Sequence, residues 1–410
     1  MRKTIAAASV LLVASSAHAS GYQIHEQDAR ATGRAVAVVA NPANPSSVYY
    51  NPAGVALLSG LGAEIGGSLV APRAKFLALG TGTETKAEDQ NFVLPHGYVT
   101  YRVNDWLGVG VGFEAPFGLS LRWPETSPGR TNVRDIELRS YFLSPVGAVD
   151  LSRWAPGLAI GAGPDFVPAS VRLERDILFG SEVANVALSG TAFGVGAHAG
   201  VLYRPPPLPF MSFGVTYRSP VKLNIEGDAN FSASPALRGS LPPDGTAKTS
   251  VTLPQRFELG VAVDFLPEWE IELDVDWTGW SAFDSLTLEL PGGQTSATDK
   301  SWHDSVTVRV GTEATIASIV AVRAGGGWDR TPVPSTTLDF QLPDANRVFF
   351  CAGAGVAFTR ALRADAGALY IPSAQQTTSL ADPFRPPVKG TFEASALVVS
   401  ASVSLALDLR

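Results

Sequence analysis

Three residue types of a hydrolytic triad stand side by side at His303-Asp304-Ser305. Nucleophilic catalysis would need them to share one site, and a triad is made by geometry rather than by adjacency. Neighbouring residues of an extended segment point to opposite faces, so this run does not assemble one. The chain has no G-x-S-x-G, H-E-x-x-H or C-x-x-C pattern, and His18, His25, His96 and His198 are dispersed. Its single cysteine, Cys351, has no intramolecular disulfide partner and reads as a small strand residue. A second candidate is Glu270, Glu272, Asp274 and Asp276, four acids at every second position. They could hold a cation, but their strict alternation with Ile271, Leu273, Val275 and Trp277 reads as the solvated wall of a strand. No enzyme activity, cofactor or metal is expected.

The elements that carry these residues follow from pattern. Residues 1–19 have the three parts of a secretory signal: Arg2 and Lys3, the apolar run Ile5 to Val13, and the A-x-A site Ala17-His18-Ala19. Cleavage near Ala19 removes two positive charges from a chain whose net charge is already −7, which argues against a nucleic-acid partner, since phosphate is bound by clustered Lys and Arg. No later stretch approaches the roughly 18 apolar residues of a membrane helix. Period-two alternation recurs instead. Phe257, Leu259, Val261, Val263 and Phe265 alternate with Glu258, Gly260, Ala262 and Asp264; Leu107 to Phe113 alternates with glycines; Leu397 to Leu407 alternates with serines. Four acids on one strand face suit a wet lumen, with the apolar face towards lipid. Short connections such as Asn104-Asp105 and Leu266 to Trp269 suit periplasmic turns. Trp123 to Asp135, Ile225 to Gln255, Thr278 to Trp302 and Thr331 to Asn346 suit long extracellular loops. Trp106, Trp123, Trp269, Trp277, Trp280, Trp302 and Trp328 read as an interfacial girdle. The fold class is therefore all-β: a transmembrane antiparallel barrel of about 14 strands, at roughly ten membrane residues per strand, over residues 61–410. Residues 20–60 lack the strand pattern and read as a plug with turns and one short helix, Asp28 to Val39.

The segments GYQIHEQDARATGRA at 21–35, YNPAG at 50–54, GVGFEAPFGLSLRW at 110–123, YRSPVKLNIEG at 217–227, LPQRFELGVAVDF at 253–265, WHDSVTVRVG at 302–311 and PDANRVFFCAGAGVAF at 343–358 resemble, in order and spacing, the FadL/TodX group of outer-membrane transporters for hydrophobic compounds. The resemblance implies a monomeric 14-stranded barrel in the bacterial outer membrane, with the N-terminal segment as a hatch in the lumen. It also implies a hydrophobic small-molecule ligand that reaches a pocket beside the hatch and leaves sideways into outer-membrane lipid through a kink in the third strand. Long-chain fatty acids are the expected ligand and aromatic hydrocarbons the variant; a surface adhesin binding through its loops is the alternative of another class. By the same resemblance the hatch motif falls on Asn51, Pro52, Ala53 and Gly54, ligand contacts on Tyr22 and Arg175, and the kink on Gly112, Pro116 and Gly118. One departure is the C-terminus, Leu407-Asp408-Leu409-Arg410, which lacks the final aromatic residue usual in such barrels.

Overall fold

The computed structural model describes residues 21–378 and 389–408. The expected signal at 1–19 and the last two residues of the C-terminus lie outside the described residues. Alternating sequences build antiparallel hairpins, and fourteen such strands close on themselves. They are β1 (Leu61–Ala78), β2 (Phe92–Arg102), β3 (Leu107–Glu114 with Gly118–Arg122), β4 (Asp135–Ser140 with Phe142–Asp150), β5 (Leu158–Phe179), β6 (Glu182–Tyr203) and β7 (Met211–Arg218 with Val221–Ser232). Then come β8 (Gly245–Leu253 with Arg256–Leu266), β9 (Trp269–Thr278 with Ser285–Leu290), β10 (Gln294–Asp299 with Ser305–Ile316), β11 (Val320–Asp329), β12 (Arg347–Ala357), β13 (Leu362–Thr377) and β14 (Gly390–Leu407). The seam is β1 against β14, from Leu61↔Leu407 to Ala78↔Gly390. Closure removes the unpaired edge that an open sheet would expose.

The pleat sorts side chains as the alternation requires. Phe257 and Leu259 are exposed on the outer surface while Glu258 between them is buried. The expected short turn joins β8 to β9, with Glu258 opposite Asp276 and Gly260 opposite Asp274. The long segments differ from expectation. Much of Ile225–Gln255 and Thr278–Trp302 is sheet, because β7, β8, β9 and β10 continue past the outward-facing apolar belt. Leu223, Ile225 and Leu253 there turn inward and are buried. The tryptophans also divide. Trp106, Trp269 and Trp328 are exposed as a girdle would have them, whereas Trp123, Trp280 and Trp302 are buried in an interior apolar cluster.

Residues 21–58 run inside the lumen and are buried almost throughout. The expected helix over 28–39 shrinks to α1 (Ala29–Thr32), followed by α2 (Ser47–Tyr50) and a 3-10 turn at Pro52–Leu57. Asp28 explains the start of α1: its carboxylate accepts from the backbone N–H groups of Arg30 and Ala31 at 2.9 and 3.3 Å. It also accepts from Asn44 and Ser46, which ties the two halves of the hatch together. The helix stops because Ala35 and Val36 both adopt φ of 60°, a left-handed conformation that is a true outlier for β-branched valine.

Candidate functional site

The hatch is fixed to the wall by the four acids of β9. They are not a solvated wall, as the sequence suggested, but the acceptor row for hatch backbone and side chains. Arg34, fully buried, pairs with Glu270 and with Glu272, the latter at 3.1 Å. The N–H groups of Val38 and Val39 donate to Asp274 at 2.8 and 3.1 Å, and that of Ala40 donates to Glu272 at 2.6 Å. Asp276 meets His25 at 3.7 Å and Arg309 at 3.3 Å. Glu313 of β10 adds Arg30 at 2.9 Å and Arg323 at 2.7 Å. Low local dielectric makes such paired charges strong and any unpaired remainder costly. Among the described residues no group of three or more His, Cys, Asp or Glu could hold a metal ion.

Asn51, Pro52, Ala53 and Gly54 lie near the turn end of the barrel, where the chain enters β1. Asn51 donates from its amide nitrogen to the carbonyls of Val39 and Val201 at 2.8 and 3.1 Å, and its side-chain oxygen caps the 3-10 turn at Ala53. Wall glycines let this backbone come close: a Cβ on Gly161 would lie 2.7 Å from the Ala53 nitrogen, and one on Gly353 would lie 2.7 to 3.5 Å from hatch and neighbouring wall atoms around Gly33. Gly214, Gly260 and Gly311 face Val39, Ala40 and Arg34 in the same way. The wall is smooth where the hatch must fit.

The first residues of the hatch do something different. β2 pairs with β3 only from Gly97↔Phe113 down to Arg102↔Gly108. Above that, Phe92–His96 pair with β1 alone, and Gly118–Arg122 pair with β4 alone. The ladder breaks at Ala115-Pro116-Phe117, where proline has no N–H to donate. The break takes its partners from the hatch. Ile24 N–H donates to the Pro116 carbonyl at 2.8 Å, and Gly118 N–H donates to the Tyr22 carbonyl at 3.1 Å. Gln27 serves both polar groups of Ala115, accepting from its N–H at 2.9 Å and donating to its carbonyl at 3.1 Å. Pro116 and Gly118 thus flank the break, while Gly112 sits below it in an intact ladder opposite Tyr98 and Ser144.

A cavity of about 500 Å³ occupies the break, bordered by Phe92 and Leu94 on one side, Phe117 and Leu121 on the other, and Tyr22 and Ile24 below. Next to it, enclosed by the extended strands, lies a smaller apolar cavity of about 110 Å³ lined by Leu173, Leu188, Ile225, Val251 and Leu288. Tyr22, Leu119 and Leu138 border both. Tyr22 is packed edge-on to Trp280 at 4.7 Å and Phe117 at 6.2 Å. Arg175 on β5 lines neither cavity. Lys300 does line the apolar cavity, with its ammonium on Asp339 at 2.9 Å and Gln341 at 2.8 Å. Nothing local in the sequence marks Lys300, Gln27 or the acid-to-hatch pairing, since their partners are distant in the chain.

Asp344, in the connection between β11 and β12, accepts from Thr331 at 2.6 Å and from the N–H of Gly21 at 3.3 Å. Burial pushes its carboxyl up to about 7, against the opposing pull of Arg347. A carboxyl raised on folding contributes stability that is complete below its unfolded pKa of about 3.9 and lost as pH rises through its folded value. Asp344→Asn is therefore expected to melt higher than the wild type at pH 8 and to match it near pH 4. Thermal unfolding at the two pH values checks this, and equal melting at pH 8 would contradict it.

Comparison with known proteins agrees with this architecture. Residues 10–406 match the family described as outer membrane protein transport protein (OMPP1/FadL/TodX). The chain is 25% identical over 413 residues to the long-chain fatty acid transport protein of Escherichia coli O6:H1 (strain CFT073), covering 90% of each. Its fold is similar to that of a crystal structure of a Pseudomonas aeruginosa FadL homologue, with a TM-score of 0.86 at 20% identity, covering 94% of this chain and 100% of the other. It is also similar to the Ralstonia pickettii toluene transporter TbuX, with a TM-score of 0.73 at 14% identity, covering 93% and 98%. With a family match over nearly the whole chain, a closed antiparallel barrel and an internal hatch, this protein belongs to the OMPP1/FadL/TodX family of outer-membrane transport proteins.

Proposed function

We propose that the protein carries hydrophobic molecules passively across the outer membrane, with the hatch as gate and the break in β3 as a sideways exit. The observation that supports this most is the meeting of three features at one place: an apolar cavity, a gap in the wall, and a hatch segment hydrogen-bonded to the gap's edge. An apolar molecule gains little from a watery channel. Delivered sideways, it reaches hydrocarbon at roughly 25 cal/mol per Å² of apolar surface. Long-chain fatty acids are the first ligand class, in line with the name of the Escherichia coli relative. Aromatic hydrocarbons are the second, in line with the Ralstonia toluene transporter. Tyr22 is the ligand contact and gate between the two cavities. Asn51, Pro52, Ala53 and Gly54 anchor the hatch so that its first residues can move against a fixed body.

The test is uptake of labelled oleate and of toluene by a transporter-deficient host expressing the chain. Replacing Asn51-Pro52-Ala53 with three glycines is expected to reduce uptake several-fold while the barrel still shows heat-modifiable mobility. Normal uptake by that variant would remove the hatch from the mechanism. A folded wild-type barrel that takes up neither compound would favour an adhesin acting through its outer loops.

A further inference from the structure

The connection between β11 and β12 does not stand away from the barrel as an outer loop would. Val333, Leu338, Phe340 and Ala345 within it are buried, yet none of residues 332–345 lies in a strand. It crosses the mouth. From its roots on β11 and β12 it reaches Trp123 and the β3–β4 connection, nearly opposite in a ring of fourteen strands. There the Phe340 ring lies 4.7 Å from Phe76, 4.8 Å from Phe392 and 5.1 Å from Trp123. The Trp123 indole N–H donates to the Phe340 carbonyl at 2.9 Å. A Cβ on Gly129 would fall against the Phe340 ring, so glycine at that position lets the ring seat. Midway across, Asp339 pairs with Lys300 at 2.9 Å and accepts from Asn132 at 3.3 Å, while Thr337 donates to the Lys300 carbonyl at 2.6 Å.

The underside of this segment borders both cavities. Gln341 and Leu342 line the apolar one, and Leu342 to Ala345 line the larger one at the break. From this we infer that residues 332–345 are a strap closing the outer entrance of the passage, with Phe340 as its latch. The inference rests on the transport reading above and adds an outer gate to the hatch. The strap is held by ring packing and side-chain bonds, not by a strand ladder, so it can lift without breaking the sheet, and segments held in this way open at the lowest cost. The seat also selects what can open it. When the Phe340 ring leaves, Phe76, Trp123 and Phe392 lose their apolar cover, and an arriving apolar molecule restores it. A hydrophilic solute offers no such replacement.

The experiment locks the latch. Gly129→Cys and Phe340→Cys are combined with Cys351→Ala, which removes the one native thiol. The two new cysteines replace residues in contact, near enough for a disulfide to span them. Uptake of labelled oleate by transporter-deficient cells is compared for the oxidised and reduced forms, with equal amounts of folded barrel. Oxidation is expected to lower uptake about tenfold or more, as fastening a lid would, and reduction to restore it. A second variant needs no disulfide: Phe340→Ala empties the seat and is expected to raise uptake several-fold at low oleate, where entry limits the rate. Oxidised protein that takes up oleate as fast as reduced protein would overturn the strap as a gate while leaving transport intact. So would Phe340→Ala with unchanged or lower uptake. Failure of the wild type to take up oleate would overturn the transport reading itself, and the outer gate with it.

Discussion

Arg34→Ala is expected to yield a barrel that still assembles but no longer holds its plug. Arg34 is fully buried and neutralises Glu270 and Glu272, with Glu313 a further 3.9 Å away. Removing one partner of a buried ion pair leaves the other's charge uncompensated, at a cost of about 3–5 kcal/mol. Here two carboxylates lose their shared cation. The same residue precedes Ala35 and Val36, whose left-handed conformations each cost on the order of 1–3 kcal/mol and persist only while the surroundings hold them. Asp274, which receives the N–H groups of Val38 and Val39, and Glu272, which receives that of Ala40, would then hold the turn without the guanidinium. The fourteen-stranded ladder does not depend on this pair, so heat-modifiable mobility should be retained. The expected readout is a large rise in single-channel conductance and in sensitivity to hydrophilic antibiotics. A variant as tight as the wild type would show that the acid row is not what retains the hatch.

Gly118→Glu is expected to lower uptake at least tenfold in a barrel of normal stability. A Cβ at Gly118 would lie 3.3 Å from the Ile24 side chain and 3.7 Å from the Leu138 carbonyl, so the position admits a side chain with a small shift of Ile24. Glutamate would extend a carboxylate into a cavity bordered by Phe117, Leu121 and Leu138. Placing a charge on the path of an apolar molecule costs several kcal/mol of desolvation. Uptake of labelled oleate by cells with equal amounts of folded barrel is the measurement. If wild-type rates persist, the molecule leaves by another route.

Much of the barrel was legible because strand periodicity is local. Phe257 to Phe265 and Glu270 to Trp277 show their two faces in the sequence, and the structure pairs them through the expected short turn. The extensions of β7 to β10 were not legible as sheet. Outside the apolar belt the outer face becomes polar, so that Lys222, Asn224 and Glu226 alternate with inward Leu223 and Ile225 in a segment whose composition resembles a loop. Trp123, Trp280 and Trp302 were misplaced for a related reason, since a tryptophan near a strand end suits either an interface or a lumen. The purpose of the acid row was beyond local reading. Asp274 receives Val38 and Val39 from more than two hundred residues away, and nothing near either end announces the partner. Pro116 and Gly118 marked the break in β3. That its free backbone groups are met by Tyr22, Ile24 and Gln27 needed three dimensions.

The glycines facing the hatch bear on the order in which the molecule is made. Gly161, Gly214, Gly260, Gly311 and Gly353 belong to strands spread around about half of the circumference, and each meets hatch main chain at a distance that excludes even a methyl group. A plug keyed so closely on so many sides has no clearance to be threaded through a finished cylinder with its side chains in place. The N-terminal segment, first to emerge during export, must already be seated when Leu61–Ala78 zips to Gly390–Leu407. On this geometry the wall closes around the plug, so a substitution that loosens the hatch, as Arg34→Ala does, leaves it shifted inside the lumen and leaking rather than expelled.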